Sequence, residues 1–172
     1  MELVEGRVEV GGERFPDTDA FVEALSAVGE EYDVTVQAFD ARYVVSRRHF
    51  ERALELADRE RERGEAIARD RAVEALLYAA GRRQIDRALA MGVGEGETPV
   101  VVLVDDPDGE VVDERAAASA VGELLDPGET LGAYDPGRVC EFFDIGDAER
   151  AATDADLETL VLERVALLVV ER

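Results

Sequence analysis

Residues 3 to 10 alternate Val4, Gly6, Val8 and Val10 with Glu5, Arg7 and Glu9, a period of two that predicts a half-buried strand at an edge or in a hairpin. After Pro16, Asp17 or Thr18 is placed to cap a helix that carries Phe21, Leu25 and Val28 on one face and stops near Gly29. Residues 33 to 39, DVTVQAF, alternate again, and PVVVLV at 99 to 104 is an unbroken β-branched run. Such a run fits a strand covered on both faces, the centre of a sheet.

Three helical segments separate those two strands. Ser46 caps the first, in which Phe50, Ala53, Leu54 and Ala57 keep helical spacing before the polar run ADRERERGE. The second gathers Ala72, Val73, Leu76, Leu77 and Ala80 on one face and ends at Gly81, and the third carries Ile85, Ala88 and Leu89 and ends at Gly92. Beyond the sheet centre, Glu114 to Leu125 reads as a helix, PGETLGAYDPG as irregular structure and Val139 to Phe143 as a short helical turn. Leu157, Leu160, Val161, Val165 and Leu168 suggest a C-terminal helix, although VALLVV fits a strand equally well. The pattern predicts an α/β fold, with a small mixed central sheet flanked by several helices in one domain spanning residues 1–172.

Composition changes the picture in one respect. The 41 acids face 19 bases, every base is arginine, and the formal charge is −22. An acidic surface without lysine fits high salt, since at about 1 M the Debye length falls to roughly 3 Å and self-repulsion is screened. The 47% hydrophobic content excludes an acidic disordered chain. No stretch resembles a signal peptide or a bilayer-spanning run of roughly 20 apolar residues, so a soluble, cytoplasmic protein is expected.

The charge is uneven. Residues 41–90 hold 12 arginines against 9 acids, a net of +3, while the remainder carries −25. Arg47 and Arg48 follow the Ser46 cap, where the helix dipole disfavours cations by roughly 0.3–1 kcal/mol each, so local helix stability did not select them. Arg82 and Arg83 precede the Ile85 helix, and backbone N–H groups with guanidinium forks there suit phosphate oxygens. Pairing with the abundant carboxylates is the competing reading for all four.

Catalytic chemistry finds no foothold. GVGEGET at 92 to 98 is glycine-rich but precedes a strand, holds two glutamates and lacks the GK[ST] ending of a phosphate loop, so it reads as a turn. DDPDG at 105 to 109 lacks calcium-loop spacing and reads as a β-turn. Cys140 stands alone, which leaves no intrachain disulfide, and is expected as a small core residue. His49 is the single histidine and is expected on a helix surface; no His-rich metal site and no nucleophile signature accompany it.

The order of segments narrows the function. QAFDARYVVSRRHFERAL, then AVEALLYAAGRRQIDRALAMGV, then TPVVVLVD resembles the small accessory subunit of the KEOPS complex, the family of the PRPK-binding protein TPRKB, in an archaeal, haloarchaeal member. The marks are a strand ending in QAFDA, a V-S-x-x-H helix start, an apolar helix closing on G-x-R-Q-I, an A-x-x-x-G-V exit and an apolar strand, over about residues 34–105. The resemblance implies a non-catalytic, cofactor-free subunit that binds the small kinase/ATPase of a tRNA threonylcarbamoyladenosine-modification complex. It also implies that tRNA is recruited through its single-stranded CCA end, at Gly81, Arg83, Gln84 and Ile85. The charge argument adds Arg82, Arg47, Arg48 and His49.

Single-stranded RNA ends are held by cations on phosphate and by apolar or planar groups against bases, a mixture that Ile85 and Gln84 beside two arginines supply without an aromatic platform. A kinase contact needs an apolar face beyond the one that builds the core. Leu76, Leu77 and Tyr78 run consecutively and point in more than one direction, as do residues 167–170 if helical, so these three and Leu167 are candidates, with core burial as the alternative. A stand-alone small-molecule-binding domain, or an adaptor that binds the kinase without touching RNA, are the other classes the sequence admits.

Overall fold

In the computed structural model, which describes residues 1–170, β1 (Glu2–Val10), α1 (Thr18–Tyr32) and β2 (Thr35–Asp40) lead into α2 (Arg47–Glu62), α3 (Arg71–Ala80) and α4 (Ile85–Ala88). Then follow β3 (Gly96–Asp105), α5 (Val111–Gly122), β4 (Asp126–Pro127), α6 (Pro136–Phe142), α7 (Asp147–Ala151) and α8 (Leu157–Val170). The fold is α/β and divides into two compact units, Met1–Ala41 with Gly92–Thr130, and Arg42–Met91 with the chain from Leu131 onward.

The first unit holds the sheet, in the order β2-β3-β1-β4. All three pairings are antiparallel, where the sequence suggested a mixed sheet. β3 is central as expected, and Val100 to Val104 are all buried. β1 is neither an edge nor half of a hairpin: it pairs along its whole length with β3, 86 or more residues away, and receives β4 at Gly6 and Arg7 on its other side. Gly6 permits that approach, because a Cβ there would lie 2.6 Å from the Asp126 carbonyl oxygen. Val8, Val10, Phe21, Leu25, Val36, Val102 and Val121 belong to one apolar cluster formed by the sheet with α1 and α5.

The ends of α1 and α5 differ from the sequence reading. α1 is capped by the Asp17 carboxylate, which accepts from Ala20 N at 2.8 Å, but it runs through Gly29 to Tyr32 and closes on Asp33 at φ 53°. Gly29 is small for a different reason: a Cβ there would meet the Val34 carbonyl oxygen at 2.9 Å where the chain turns into β2. α5 begins three residues before Glu114 and stops at Gly122, and within it the buried Glu114 accepts from Asp106 N at 2.9 Å. That bond steadies the DDPDG segment, which forms the expected turn, with Gly109 at φ 80° donating to Asp106 O at 2.9 Å.

The second unit is helical, and its C-terminal segment is helix α8 rather than a strand. Ser46 caps α2, accepting from His49 N at 3.4 Å. α2 and α3 are joined by a two-pronged pairing of Arg71 with Asp58, at 2.9 and 2.8 Å. Buried Glu74 turns back to accept from Ile67 N at 3.0 Å, and so holds the start of the loop that leads into α3. Cys140 is only half-buried, near Arg150 at 3.8 Å, and so is not the core residue expected of it. No helix among the described residues is long and apolar enough to cross a membrane.

Candidate functional site

α3 is buried from Glu74 to Ala80, and the chain must then leave the interior abruptly. Gly81 makes the exit in the left-handed region, φ 62° and ψ 32°. Gly81 N donates to Tyr78 O at 3.1 Å and Arg82 N to Leu77 O at 3.0 Å, the paired bonds of a Schellman ending. Glycine is needed twice over, since a Cβ would also lie 3.2 Å from the carbonyl oxygen of Arg164 on α8.

The reversal separates the two arginines that follow. Arg82 turns inward: its Nη2 donates to Phe142 O, its guanidinium lies 5.2 Å from the centre of the Phe142 ring, and Asp144 is 3.8 Å away. Arg83 is exposed, with one long contact of 3.5 Å to Leu168 O. Gln84 is exposed at the cap position of α4 and makes no side-chain capping bond. α4 is a single turn, too short for a dipole of consequence, so the cationic character of this surface comes from its arginines.

Its side chains divide cleanly. Ala88 and Met91 are buried, while Ile85 is 49% and Leu89 58% exposed. Leu89 thus faces solvent, where the sequence grouped it with Ala88. Arg83, Gln84, Ile85, Asp86, Arg87 and Leu89 are all exposed, two arginines against one acid. Leu89 and Arg87 were not among the residues nominated from sequence, although their spacing from Ile85 and Arg83, four residues in each case, was there to be read.

The other nominated residues lie apart from this surface in role. His49 is fully buried, not a surface residue: Nε2 donates to Ala79 O at 2.7 Å, and Nδ1 accepts from Val45 N at 3.4 Å. Burial holds its pKa down at about 4, against the weaker opposite effect of the Ala79 carbonyl, so the ring is neutral at pH 7 and is closed to RNA. Arg47 and Arg48 do sit in the first turn of α2, and both face carboxylates, Glu51 at 3.0 Å and Glu158 at 3.4 Å.

Of the four kinase candidates, Leu76, Leu77 and Tyr78 are buried, at 3%, 2% and 1% exposure. Burial, then the Glu74 carboxylate, raises the Tyr78 hydroxyl pKa. Leu167 is exposed. α8 is apolar on more than its core face, with Leu162, Ala166 and Val169 half-buried and Leu167 and Val170 exposed outside the buried line Leu160, Val161, Val165 and Leu168. Between α2 and α8 runs a groove of about 390 Å³, with Leu162 and Ala166 inside it and Arg48, Arg52, Glu55 and Glu163 along it.

No curated protein matches the chain closely enough to count as a relative. A family model described as kinase binding protein CGI-121 matches residues 18–168, which span α1 through nearly all of α8, and the chain therefore belongs to the CGI-121 family of kinase-binding proteins.

Proposed function

We propose that this kinase-binding protein is a non-catalytic subunit of the KEOPS complex, which binds the small kinase/ATPase and recruits tRNA by its single-stranded CCA end. The observation that carries the RNA half is the exposed run Arg83, Gln84 and Ile85 at the mouth of α3, inside residues 41–90, whose charge is +3 while the remainder of the chain sums to −25. Arg83 and Arg87 are suited to phosphate oxygens, Gln84 to base edges or a 2′-hydroxyl, and Ile85 with Leu89 to the faces of unpaired bases. Aliphatic groups take the place of the aromatic platforms usual in such sites.

A net charge of −22 repels RNA at low ionic strength, but in concentrated salt that repulsion is screened and counterion release contributes little. Recognition then depends on hydrogen bonds and packing, which suits a cytoplasm of high salt such as that of a halophilic archaeon. Leu167 and the outer side of α8 supply the apolar surface for the kinase.

The test is binding of intact tRNA and of tRNA trimmed of its CCA end, in high-salt buffer, to wild type, Arg83→Glu and Ile85→Glu. Intact tRNA should bind more tightly, and both substitutions should abolish the difference while kinase co-purification persists. Equal affinity of the wild type for the two RNAs would sink the CCA assignment and favour an adaptor that binds the kinase alone, a reading supported by the carboxylate partners of Arg47 and Arg48.

A further inference from the structure

Three consecutive backbone carbonyls, those of Phe142, Phe143 and Asp144, are left at the end of α6, where Asp144 turns the chain at φ 55°. Helix ends strand such acceptors, and a guanidinium is the side chain whose fork can take several of them. Here two arginines from different elements do so. Arg82 donates to Phe142 O, while Arg164 of α8 donates through Nε to Phe143 O at 3.0 Å and through Nη2 to Asp144 O at 3.2 Å.

Each arginine is further fixed. Arg82 lies over the Phe142 ring and 3.8 Å from the Asp144 carboxylate, and Arg164 meets Glu149 at 2.6 Å. Phe143 in turn packs edge-on against the buried His49, at 5.9 Å between ring centres. A small cavity of about 150 Å³ remains among Gly81, Arg82, Phe143, Asp144, Arg164 and Leu167.

We infer that Arg82 is a positioning residue: with Arg164 it clasps the Phe142–Asp144 corner, and this fixes the path of the chain through Gly81–Ile85 so that Arg83, not Arg82, meets the RNA phosphate. The inference deepens the RNA reading above and rests on it for the second half. Three features separate the roles of the two arginines. The Arg82 side chain is only 27% exposed, its charge is shared with Asp144, and its bond to the Phe142 carbonyl is short, whereas Arg83 stands exposed with one long contact of 3.5 Å to Leu168 O. Gly81 makes the divergence possible, because its left-handed turn directs Arg82 back toward α6 and α8.

The clasp is tested first without RNA, by amide hydrogen exchange at Arg87 and Ala88, whose N–H groups bond Gln84 O at 3.2 and 3.1 Å. Arg82→Ala, Arg82→Lys and Arg164→Ala should each speed exchange there about tenfold, since lysine keeps the charge but not the fork, and Arg83→Ala should leave it unchanged. Unchanged exchange in Arg82→Ala overturns the clasp.

The second arm measures affinity for intact tRNA across a salt series. Arg82→Ala should weaken binding about tenfold with the salt slope of the wild type, while Arg83→Ala should reduce that slope by roughly 0.7, the signature of one lost contact to a single-strand phosphate. An equal fall in slope for Arg82→Ala would make it a phosphate ligand and overturn its positioning role. If wild type does not distinguish trimmed from intact tRNA, the RNA reading fails, and the exchange arm still decides the clasp.

Discussion

The imidazole of His49 donates from Nε2 to the carbonyl oxygen of Ala79 at 2.7 Å, joining the first turn of α2 to the last turn of α3 just before the chain emerges at Gly81. Its other nitrogen accepts from Val45 N, and its ring packs against Phe50 and Phe143. A buried neutral ring with both nitrogens used is a structural pin, and it can act only while it remains unprotonated.

That pin makes stability depend on acid in a defined window. The unfolded histidine titrates near 6.5 and the folded one at about 4, so between those values the unfolded chain binds a proton that the folded chain refuses. Stability contributed by this group is therefore full above pH 6.5 and is lost as pH falls toward 4, by about 3 kcal/mol at 1.36 kcal/mol per unit. Carboxylates titrate in the lower part of the same range, so the group is isolated by comparison with His49→Gln. Denaturant melts should show the advantage of wild type over the variant shrinking as pH drops from 7 to 4, and a constant gap would be evidence against the pin.

Gly81→Ala should destabilise the fold by about 1–2 kcal/mol, since alanine in the left-handed region carries that cost and the new Cβ lies 3.2 Å from Arg164 O. For a chain of this length the melting temperature should fall by roughly 2–8 °C. Gly81→Asn should lose less, because asparagine tolerates this conformation better. Calorimetry of the two variants checks the order; alanine equal to wild type would mean that the turn relaxes freely.

Gly29→Ala sets two effects against each other. Alanine inside a helix gains about 1 kcal/mol over glycine, but here its Cβ would stand 2.9 Å from a backbone oxygen, that of Val34, which is held by its own turn. Overpacking against backbone costs about 1–3 kcal/mol, so the clash should win and the melting temperature should drop. A rise would show instead that the connection into β2 can yield.

Periodicity made the helices α2 and α3 and the central strand β3 legible, because each buries a face or a whole strand and its apolar spacing records that, whereas the VALLVV end of α8 fits a strand equally well in sequence and is settled as helix only by the fold. Pairing partners are not recorded in the same way. The alternation of β1 is equally compatible with an edge and with an interior strand, and only the approach of β3 and β4 decides between them. His49 looked like a surface residue because its partner, the Ala79 carbonyl, lies 30 residues on and is backbone. Likewise the charge pattern does not separate Arg82 from Arg83, and what parts their side chains is the corner 60 residues away that Arg82 reaches. Gly29 and Gly81 illustrate the same point in miniature: both were read as helix ends, yet one ends a helix and the other makes room for a carbonyl.

The kinase surface can be separated from the core by two charges placed on apolar residues of different burial. Leu167 is 42% exposed on α8 beside the half-buried Ala166, so Leu167→Glu should leave folding within about 0.5 kcal/mol of wild type. Leu76 is 3% exposed, and Leu76→Glu places an unpaired carboxylate in the interior, which should unfold the helical unit. If α8 presents the kinase-binding face, Leu167→Glu should weaken kinase binding about tenfold or more while its melting temperature is unchanged, because an apolar contact at the middle of an interface would be replaced by a desolvated charge. Titration of the purified kinase against both variants, each first checked by melting, gives the answer. Full kinase affinity in a folded Leu167→Glu protein would move the interface away from this side of α8.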